Sequence, residues 1–317
     1  MRRGRAVRAV VLGLLLAAAG YAAAGLLAPD AVLRAALALD AWRSGAERSE
    51  LQVGDHRWVL LSRGQARGSR GALVLVHGFT GSKENWLNLL RALPGDRPVL
   101  MPDLPGWGES ERRSEADYGY VAQAGRVAAL IEAMDLREAV LIGHSMGGGI
   151  AALSAARSPQ RLQGVVLMSA AGVRYRDNDF GRAVLRGEHP FKAESAEELQ
   201  RYLQLVFKQP PPLPWPLDAA LLERRRSDLA FEQSVLQAIA RGEQAFLPGE
   251  KAGAIRLPVL LLGCTADPVI DPSAADAYAA RIPQARFAWI EDCAHMPMME
   301  QPAATAQALH DFMETLP

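Results

Sequence analysis

Cysteine, lysine and net charge are scarce in this sequence of 317 residues, and each shortage excludes a class of protein. Two cysteines are too few for the disulfide framework of a small secreted domain. Lysine plus arginine and aspartate plus glutamate both number 35, so the formal net charge is zero and no nucleic-acid partner is predicted. No histidine, cysteine or carboxylate spacing indicates a metal site, and no phosphate-binding glycine loop is present. The sequence therefore predicts neither a metal nor a cofactor.

The two cysteines leave two interpretations open. Cys264 and Cys293 each follow a late apolar run, so one bridge between them is compatible with an oxidising compartment. Two separate buried thiols, acting as small apolar side chains, are the interpretation that we favour from the sequence.

Charge is also absent from a long stretch near the N-terminus. Residues 9–28 carry no charge and follow four arginines within residues 1–8. A helix of about 20 apolar residues matches the hydrocarbon thickness of a bilayer, so we predict a single transmembrane anchor over residues 1–28. The arginines indicate a cytoplasmic N-terminus. The alternative is a signal peptide, because Ala22-Ala23-Ala24 offers a cleavage site that would release a soluble exported protein.

Two features extend this prediction around the span. Gly13, Ala17 and Gly20 are small residues at near-helical spacing, a pattern that permits a homodimer through the N-terminal helix. Residues 29–50 are rich in alanine and leucine with spaced arginines, and we interpret them as a juxtamembrane helix and linker.

Short apolar runs alternate with helical patterns over most of the remaining chain. A turn at Gly54-Asp55 between residues 51–53 and 57–61 predicts a hairpin. The apolar runs that follow are residues 73–76, 99–101, 139–142, 165–168, 259–262 and 287–290. Their continuous apolar character is typical of strands that are buried on both faces. The sequence therefore predicts an α/β fold with a mostly parallel central sheet and helices on both faces.

The alternation breaks over residues 173–253, which contain helical patterns and no strand candidate. We interpret this segment as a helical cap that divides the core into residues 51–172 and 254–317. A proline-rich interruption at residues 209–216 separates the two helical patterns of this cap. The apolar cap faces are predicted to line a pocket, with Phe207 and Trp215 as candidate substrate-binding residues.

The motif Gly143-His144-Ser145-Met146-Gly147 lies between an apolar run and a stretch of small residues. This strand–turn–helix context is typical of a nucleophile elbow, in which a strained turn exposes the serine hydroxyl. We therefore predict that Ser145 is a nucleophile.

A serine nucleophile needs a base, and the base needs an acid that orients it. His295 directly follows the last predicted strand, and Asp267 follows the strand at residues 259–262. The order Ser145, Asp267, His295 along the chain predicts a catalytic triad. Asp271 and Asp292 remain alternatives for the acid. His77-Gly78-Phe79 follows another strand, so the Phe79 and Met146 amides are predicted to form an oxyanion hole.

Together these motifs resemble those of α/β-hydrolase-fold esterases and lipases over about residues 50–317. The motifs are His77-Gly78-Phe79, Asp103-Leu104-Pro105-Gly106-Trp107-Gly108-Glu109-Ser110, Gly143-His144-Ser145-Met146-Gly147-Gly148, Gly263-Cys264-Thr265-Ala266-Asp267 and His295-Met296-Pro297. With its anchor and cap, the chain is similar to bacterial membrane-anchored phospholipase A and monoacylglycerol-lipase-like enzymes.

The resemblance implies a serine hydrolase that cleaves acyl esters of lipid-like substrates without a cofactor. It also implies a single-pass protein of the bacterial inner membrane, with its catalytic domain on the periplasmic side. The same triad serves C–C bond hydrolysis and haloperoxidase-like chemistry in other proteins of this fold, so these activities stay open. A non-catalytic lipid-binding protein on the same fold is the alternative from another functional class.

Overall fold

The computed structural model describes residue 13 and residues 19–317, which fold around an eight-stranded sheet. The strands are β1 (Glu47–Val53), β2 (His56–Arg63), β3 (Leu73–Val76), β4 (Val99–Pro102), β5 (Ala139–His144), β6 (Leu162–Met168), β7 (Val259–Cys264) and β8 (Arg286–Ile290). Every predicted apolar run and both arms of the predicted hairpin therefore form strands.

The strand order is β1-β2-β4-β3-β5-β6-β7-β8. Strands β1 and β2 form the antiparallel hairpin, β2 is antiparallel to β4, and all remaining neighbours are parallel. Every residue of β3, β4, β5 and β7 is buried, so both faces of the central sheet are covered. This arrangement confirms the predicted, mostly parallel α/β sheet.

The helices connect the strands or flank them. They are α1 (Ala19–Leu27), α2 (Pro29–Arg43), α3 (Leu87–Ala92), α4 (Tyr120–Ala133), α5 (Met146–Arg157), α6 (Asp179–Leu185), α7 (Ala196–Val206), α8 (Leu217–Ala240), α9 (Leu247–Ala252), α10 (Ser273–Ala279), α11 (Pro297–Glu300) and α12 (Pro302–Met313). Helix α4 packs on α5, and α3 packs on α12. Helices α6 to α9 all lie between β6 and β7, in the segment predicted as a cap.

The predicted anchor lies largely outside the described residues. Within the part that the structure describes, no single helix has the length and apolar character to cross a membrane. Helices α1 and α2 meet that test of length and composition only as a pair, and they are bent by 113° relative to each other. Helix α2 ends at Arg43. Residues 47–50 of the predicted linker belong to β1, an edge strand whose residues are mostly exposed, so its sequence lacks the apolar run by which the other strands were predicted.

Helix α2 packs against the cap helix α8. Arg224 of α8 pairs with Asp30 at 2.6 Å, and the Tyr21 hydroxyl donates a hydrogen bond of 3.0 Å to the Trp215 carbonyl. Leu33 of α2 is buried. The helices nearest the N-terminus are therefore joined to the cap.

Candidate active site

Ser145 occupies the turn between β5 and α5 in a strained backbone conformation. Its φ of 53° and ψ of −117° lie in a region that only an enforced turn imposes on a non-glycine residue. A Cβ at Gly147 would approach the Val76 carbonyl oxygen to 2.3 Å, so only glycine permits this turn to pack against β3. The predicted nucleophile thus lies at the carboxyl edge of the sheet.

His295 and Asp267 form the predicted acid–base pair at the same edge. His295 Nδ1 lies 2.8 Å from Asp267 Oδ2, and both side chains are buried. Asp267 Oδ1 also accepts the amides of Val269 at 2.9 Å and Ile270 at 3.0 Å, which hold the carboxylate in place. A proton held on Nδ1 by Asp267 leaves Nε2 as the acceptor. Within the described residues no hydrogen bond joins Ser145 to His295, although both line one cavity.

The two alternative acids have other roles. Asp271 accepts the Ser273 amide at 2.9 Å, at the start of α10. Asp292 pairs with Lys208 at 2.8 Å. Neither carboxylate has the hydrogen bond to His295 that Asp267 makes.

The loop after β3 brings Phe79 beside the nucleophile. A Cβ at Gly78 would lie 2.9 Å from Ser145 Cβ, so this loop touches the elbow directly. Neither the Phe79 nor the Met146 amide has an acceptor among the described residues, which leaves both free to bind an oxyanion. His77 fixes the loop, because its Nε2 accepts the Leu104 amide at 3.0 Å while its Nδ1 bonds the Gly78 carbonyl at 2.8 Å. Burial lowers the pKa of His77 to about 4, so it stays neutral.

A buried ion pair fixes the end of this loop that is farther from β3 along the chain. Lys83 Nζ lies 2.8 Å from Asp103 Oδ2, and Asp103 Oδ1 accepts the Lys83 amide at 2.7 Å. Burial opposes the Lys83 charge, but the Asp103 and Glu84 carboxylates outweigh it and raise the pKa of Lys83. Asp103 also accepts the Glu109 amide at 2.8 Å. The pair therefore ties the loop after β3 to the loop after β4.

Two residues that support His295 were missed from the sequence. His144 Nε2 donates to the His295 carbonyl at 2.7 Å, and burial lowers the pKa of His144 well below its usual value. Glu300 accepts the Ala294 amide at 2.9 Å and the Met296 amide at 3.4 Å, on either side of His295. No local pattern marks Glu300, since its partners are backbone amides.

The cap is hydrogen-bonded to the histidine loop. The His295 amide donates to the carbonyl of Val206, the last residue of α7, at 3.1 Å. Glu300 Oε2 accepts the amide of Lys208, two residues later, at 2.7 Å. The position of His295 is thus linked to the position of the cap.

Cys264 and Cys293 are joined in a disulfide, which corrects the expectation of two separate thiols. Cys264 ends β7, Cys293 follows β8, and their Cα atoms are 5.5 Å apart. These neighbouring parallel strands end side by side, a relation that the spacing of the two cysteines does not reveal. The bridge stands three residues before Asp267 and two before His295.

Two cavities adjoin Ser145 in the described part of the chain. Cavity A has a volume of about 540 Å³, cavity B about 310 Å³, and Ser145, Phe79 and Phe191 line both. Phe207 lines cavity B. Trp215 is 43% exposed and stacks edge-on against Tyr21, so it lies outside both cavities.

No group of three or more potential metal ligands occurs among residues 19–317. The remaining histidines also have local surroundings of their own. His56 bonds Asp55, His189 is buried in the cap, and His310 is exposed on α12.

Known proteins are similar to this chain in both sequence and architecture. Residues 71–302 match the alpha/beta hydrolase fold family. Monoacylglycerol lipase ABHD6 of Rattus norvegicus is 27% identical over 308 residues, which cover 93% of this chain and 90% of the relative. Lipase 1 of Psychrobacter immobilis is 30% identical over 250 residues, which cover 77% of each chain.

A solved structure described as a membrane phospholipase A, a bacterial virulence factor, is similar over nearly the whole chain. The TM-score is 0.84 at 33% identity, and the match covers 97% of this chain and 98% of that one. This chain therefore belongs to the alpha/beta hydrolase fold family, within which it is a carboxylic-ester hydrolase.

Proposed function

We propose that this protein is a membrane-anchored serine hydrolase that cleaves acyl esters of lipid-like substrates through an acyl-enzyme. One observation carries the proposal: the buried His295–Asp267 pair stands at the sheet edge that holds Ser145 on its strained turn. A hydroxyl, a base and an oriented carboxylate in this order are the requirements for nucleophilic ester cleavage.

The proposed reaction uses each group in turn. His295 Nε2 takes the Ser145 proton as Oγ bonds to the ester carbonyl carbon, and the Phe79 and Met146 amides stabilise the oxyanion. The ester C–O bond then breaks, and the leaving alcohol takes the proton from His295. Water activated by His295 attacks the acyl-enzyme, releasing the carboxylic acid and restoring Ser145. Asp267 orients His295 and stabilises its charged form throughout.

Glycerolipids are the proposed substrates. The names of the relatives, a monoacylglycerol lipase and a lipase, and the description of the structural neighbour as a phospholipase A support this class. The apolar walls of the cavities beside Ser145 support it independently, because buried hydrocarbon is stabilised by about 0.8 kcal/mol per methylene. Release of fatty acid from glycerophospholipids, lysophospholipids and monoacylglycerols identifies the preferred lipid.

Substitution of the triad tests the mechanism. We expect Ser145→Ala, Asp267→Asn and His295→Ala each to lower kcat by about 10⁴-fold or more while the protein stays folded. The double variant Ser145→Ala/His295→Ala is expected to be little worse than either single variant, because triad members act as a unit. Steady-state hydrolysis of a short p-nitrophenyl ester provides the measurement, and circular dichroism verifies folding.

Matched controls are residues of the same types outside the proposed triad. Ser234→Ala, Asp271→Asn and His310→Ala are expected to keep most activity. A fluorophosphonate probe is expected to label the wild-type protein and not Ser145→Ala. An unlabelled wild-type protein that still binds lipid would support the non-catalytic alternative.

A further inference from the structure

The turn that carries Phe79 contains a residue in a conformation that threonine rarely adopts. Residues 78–81 of the loop after β3 form a β-turn, closed by a hydrogen bond of 3.1 Å from the Gly81 amide to the Gly78 carbonyl. Thr80 is the third residue of this turn and has a φ of 61°. A positive φ at this position favours glycine or asparagine, and a β-branched residue there is strained. Any relaxation of Thr80 would change the path of the turn that presents the Phe79 amide.

A side chain of the cap holds Thr80 in this conformation. The Thr80 hydroxyl lies 3.0 Å from the hydroxyl of Tyr202, on helix α7. Within the described part of the chain, this is the one hydrogen bond between residues 77–82 and the cap. Relaxation of the strained residue would break this bond and leave two hydroxyls without their partner. The bond therefore opposes relaxation of the turn.

The ring of Tyr202 is fixed within the cap. The Arg225 guanidinium lies over the ring, with Cζ 4.9 Å from its centroid, and Phe191 packs against it edge-on at 5.9 Å. Arg225 is itself buried, pairs with Glu232 and donates a hydrogen bond of 2.6 Å to the Phe191 carbonyl. The Tyr202 hydroxyl is therefore presented to Thr80 by packed side chains of the cap.

Helix α7 also bonds to the loop of the proposed base. Val206, four residues after Tyr202 and about one helical turn away, accepts the His295 amide at 3.1 Å through its carbonyl. One helix of the cap thus contacts the loop that carries the proposed oxyanion donor and the loop that carries the proposed base.

We propose that Tyr202 is a positioning residue of this hydrolase: its hydroxyl holds Thr80, and through Thr80 the Phe79 amide, in the geometry that binds the oxyanion. The proposal rests on the proposed acyl-enzyme mechanism with Phe79 as an oxyanion donor. It follows that the oxyanion hole is complete only while α7 lies against the loop after β3. A cap residue that does not touch the reacting atoms then contributes to kcat.

Direct contact with the substrate is the alternative role, because Thr80 and Tyr202 both line cavity B. The two roles differ in what they affect. A group that positions the oxyanion hole stabilises the transition state of every ester, so its removal lowers kcat and leaves KM nearly unchanged. A group that contacts the substrate has an effect that depends on which ester is bound.

Tyr202→Phe removes the hydroxyl and keeps the packed ring. We expect kcat to fall about tenfold, by the same factor for p-nitrophenyl acetate and for a long-chain glyceryl ester, with little change in KM. The affinity for a trifluoromethyl ketone, whose adduct with Ser145 carries an oxyanion, is expected to fall by about the same factor. Tyr118→Phe is the matched control, because it removes a hydroxyl that bonds the Arg113 backbone outside both cavities.

Variants of Thr80 test the same bond from the loop. Thr80→Val is expected to lose as much kcat as Tyr202→Phe, and the double variant is expected to be no worse than either single variant. Thr80→Ser keeps the hydroxyl and is expected to keep nearly full kcat. Glycine adopts a positive φ without strain, so in a Thr80→Gly background we expect Tyr202→Phe to lower kcat less than about threefold. A purely structural role of the tyrosine would not be cancelled by glycine at this position.

Three results would overturn the positioning role. They are full kcat in folded Tyr202→Phe, a loss confined to KM or to glyceryl esters, and an undiminished loss in the Thr80→Gly background. Circular dichroism verifies folding, and if Tyr202→Phe does not fold, Thr80→Val compared with Thr80→Ser decides the question. Failure of a fluorophosphonate to label the wild-type protein would contradict the acyl-enzyme itself, whereas a labelled wild type with a fully active Tyr202→Phe contradicts only the positioning role.

Discussion

Glu300 is a single carboxylate that accepts hydrogen bonds from three backbone amides around His295, the proposed base. Two belong to the neighbours of His295 and the third to Lys208, just beyond cap helix α7. A carboxylate that accepts several amides stabilises their geometry, and removing it leaves the amides without a partner. We therefore assign Glu300 a positioning role for His295.

Substitution of Glu300 separates positioning from general stability. We expect Glu300→Ala to lower kcat about tenfold with little change in KM, because a displaced base affects the chemical step more than binding. Glu300→Gln, which keeps one acceptor oxygen, is expected to lie between wild type and alanine. Glu291→Ala, an exposed glutamate in the same loop, is the control. A Glu300→Ala variant with a lower melting temperature but full kcat would show that the role is structural only.

The cap holds a buried histidine whose charge state links pH to stability. His189 Nε2 lies 3.8 Å from Glu232 Oε2, and Glu232 pairs with Arg225. Burial, reinforced by Arg225 and Lys192, lowers the pKa of His189 from 6.5 to about 4. Below pH 6.5 the unfolded chain gains a proton that the folded cap does not, so stability is lost as the pH falls from 6.5 to about 4.

Replacing His189 removes this loss. We expect the difference in melting temperature between His189→Gln and wild type to be more positive at pH 5 than at pH 8. The exposed His310 provides the matched variant His310→Gln, for which the relative melting temperature is expected to be the same at both pH values. Thermal unfolding followed by circular dichroism is the measurement. An equal difference at both pH values would mean that His189 does not titrate below its usual range in the folded cap.

The sheet was predictable because its strands are buried on both faces and therefore continuously apolar. Strands β3, β5 and β7 each appear as such a run, and their carboxyl ends place Phe79, Ser145 and Asp267 at one edge. Contacts between distant segments were not predictable, because a local sequence pattern does not show which distant residues it contacts in the folded chain. Trp215 illustrates this limit: an aromatic residue in the cap was expected in the pocket, but it packs against Tyr21 instead.

The same limit applies to Glu300, His144 and the disulfide. Each acts through a partner that only the folded chain brings close, namely backbone amides, the His295 carbonyl and a neighbouring strand end. The positions of Ser145, Asp267 and His295, by contrast, followed from the strand that each residue succeeds. The placement of these residues at strand ends was therefore predictable, whereas the contacts that support them were not.

For the whole molecule, we propose a single-pass anchor with the hydrolase domain on the periplasmic side. The disulfide favours an oxidising compartment, and the four arginines before the apolar stretch favour a cytoplasmic N-terminus. We expect the full chain to stay in the membrane fraction after a carbonate wash. We also expect an alkylating reagent to label its cysteines only after reduction.

A chain without residues 1–28 is the control and is expected in the soluble fraction. A mature N-terminus near Gly25 would contradict the anchor and show a cleaved signal peptide. Labelling of both cysteines without reductant would contradict the oxidising compartment and leave the anchor itself unaffected.

Helix α2 also affects where this enzyme can be trimmed. The family match begins at residue 71, yet Leu33, Leu37 and Asp40 of α2 line cavity B. A protein cut to the family boundary would keep Ser145, Asp267 and His295, but it would lose part of the wall of cavity B. Its rates on small chromogenic esters would then misstate its selectivity for lipids. The shortest protein that keeps all of cavity B is therefore longer than the family match and begins no later than Pro29.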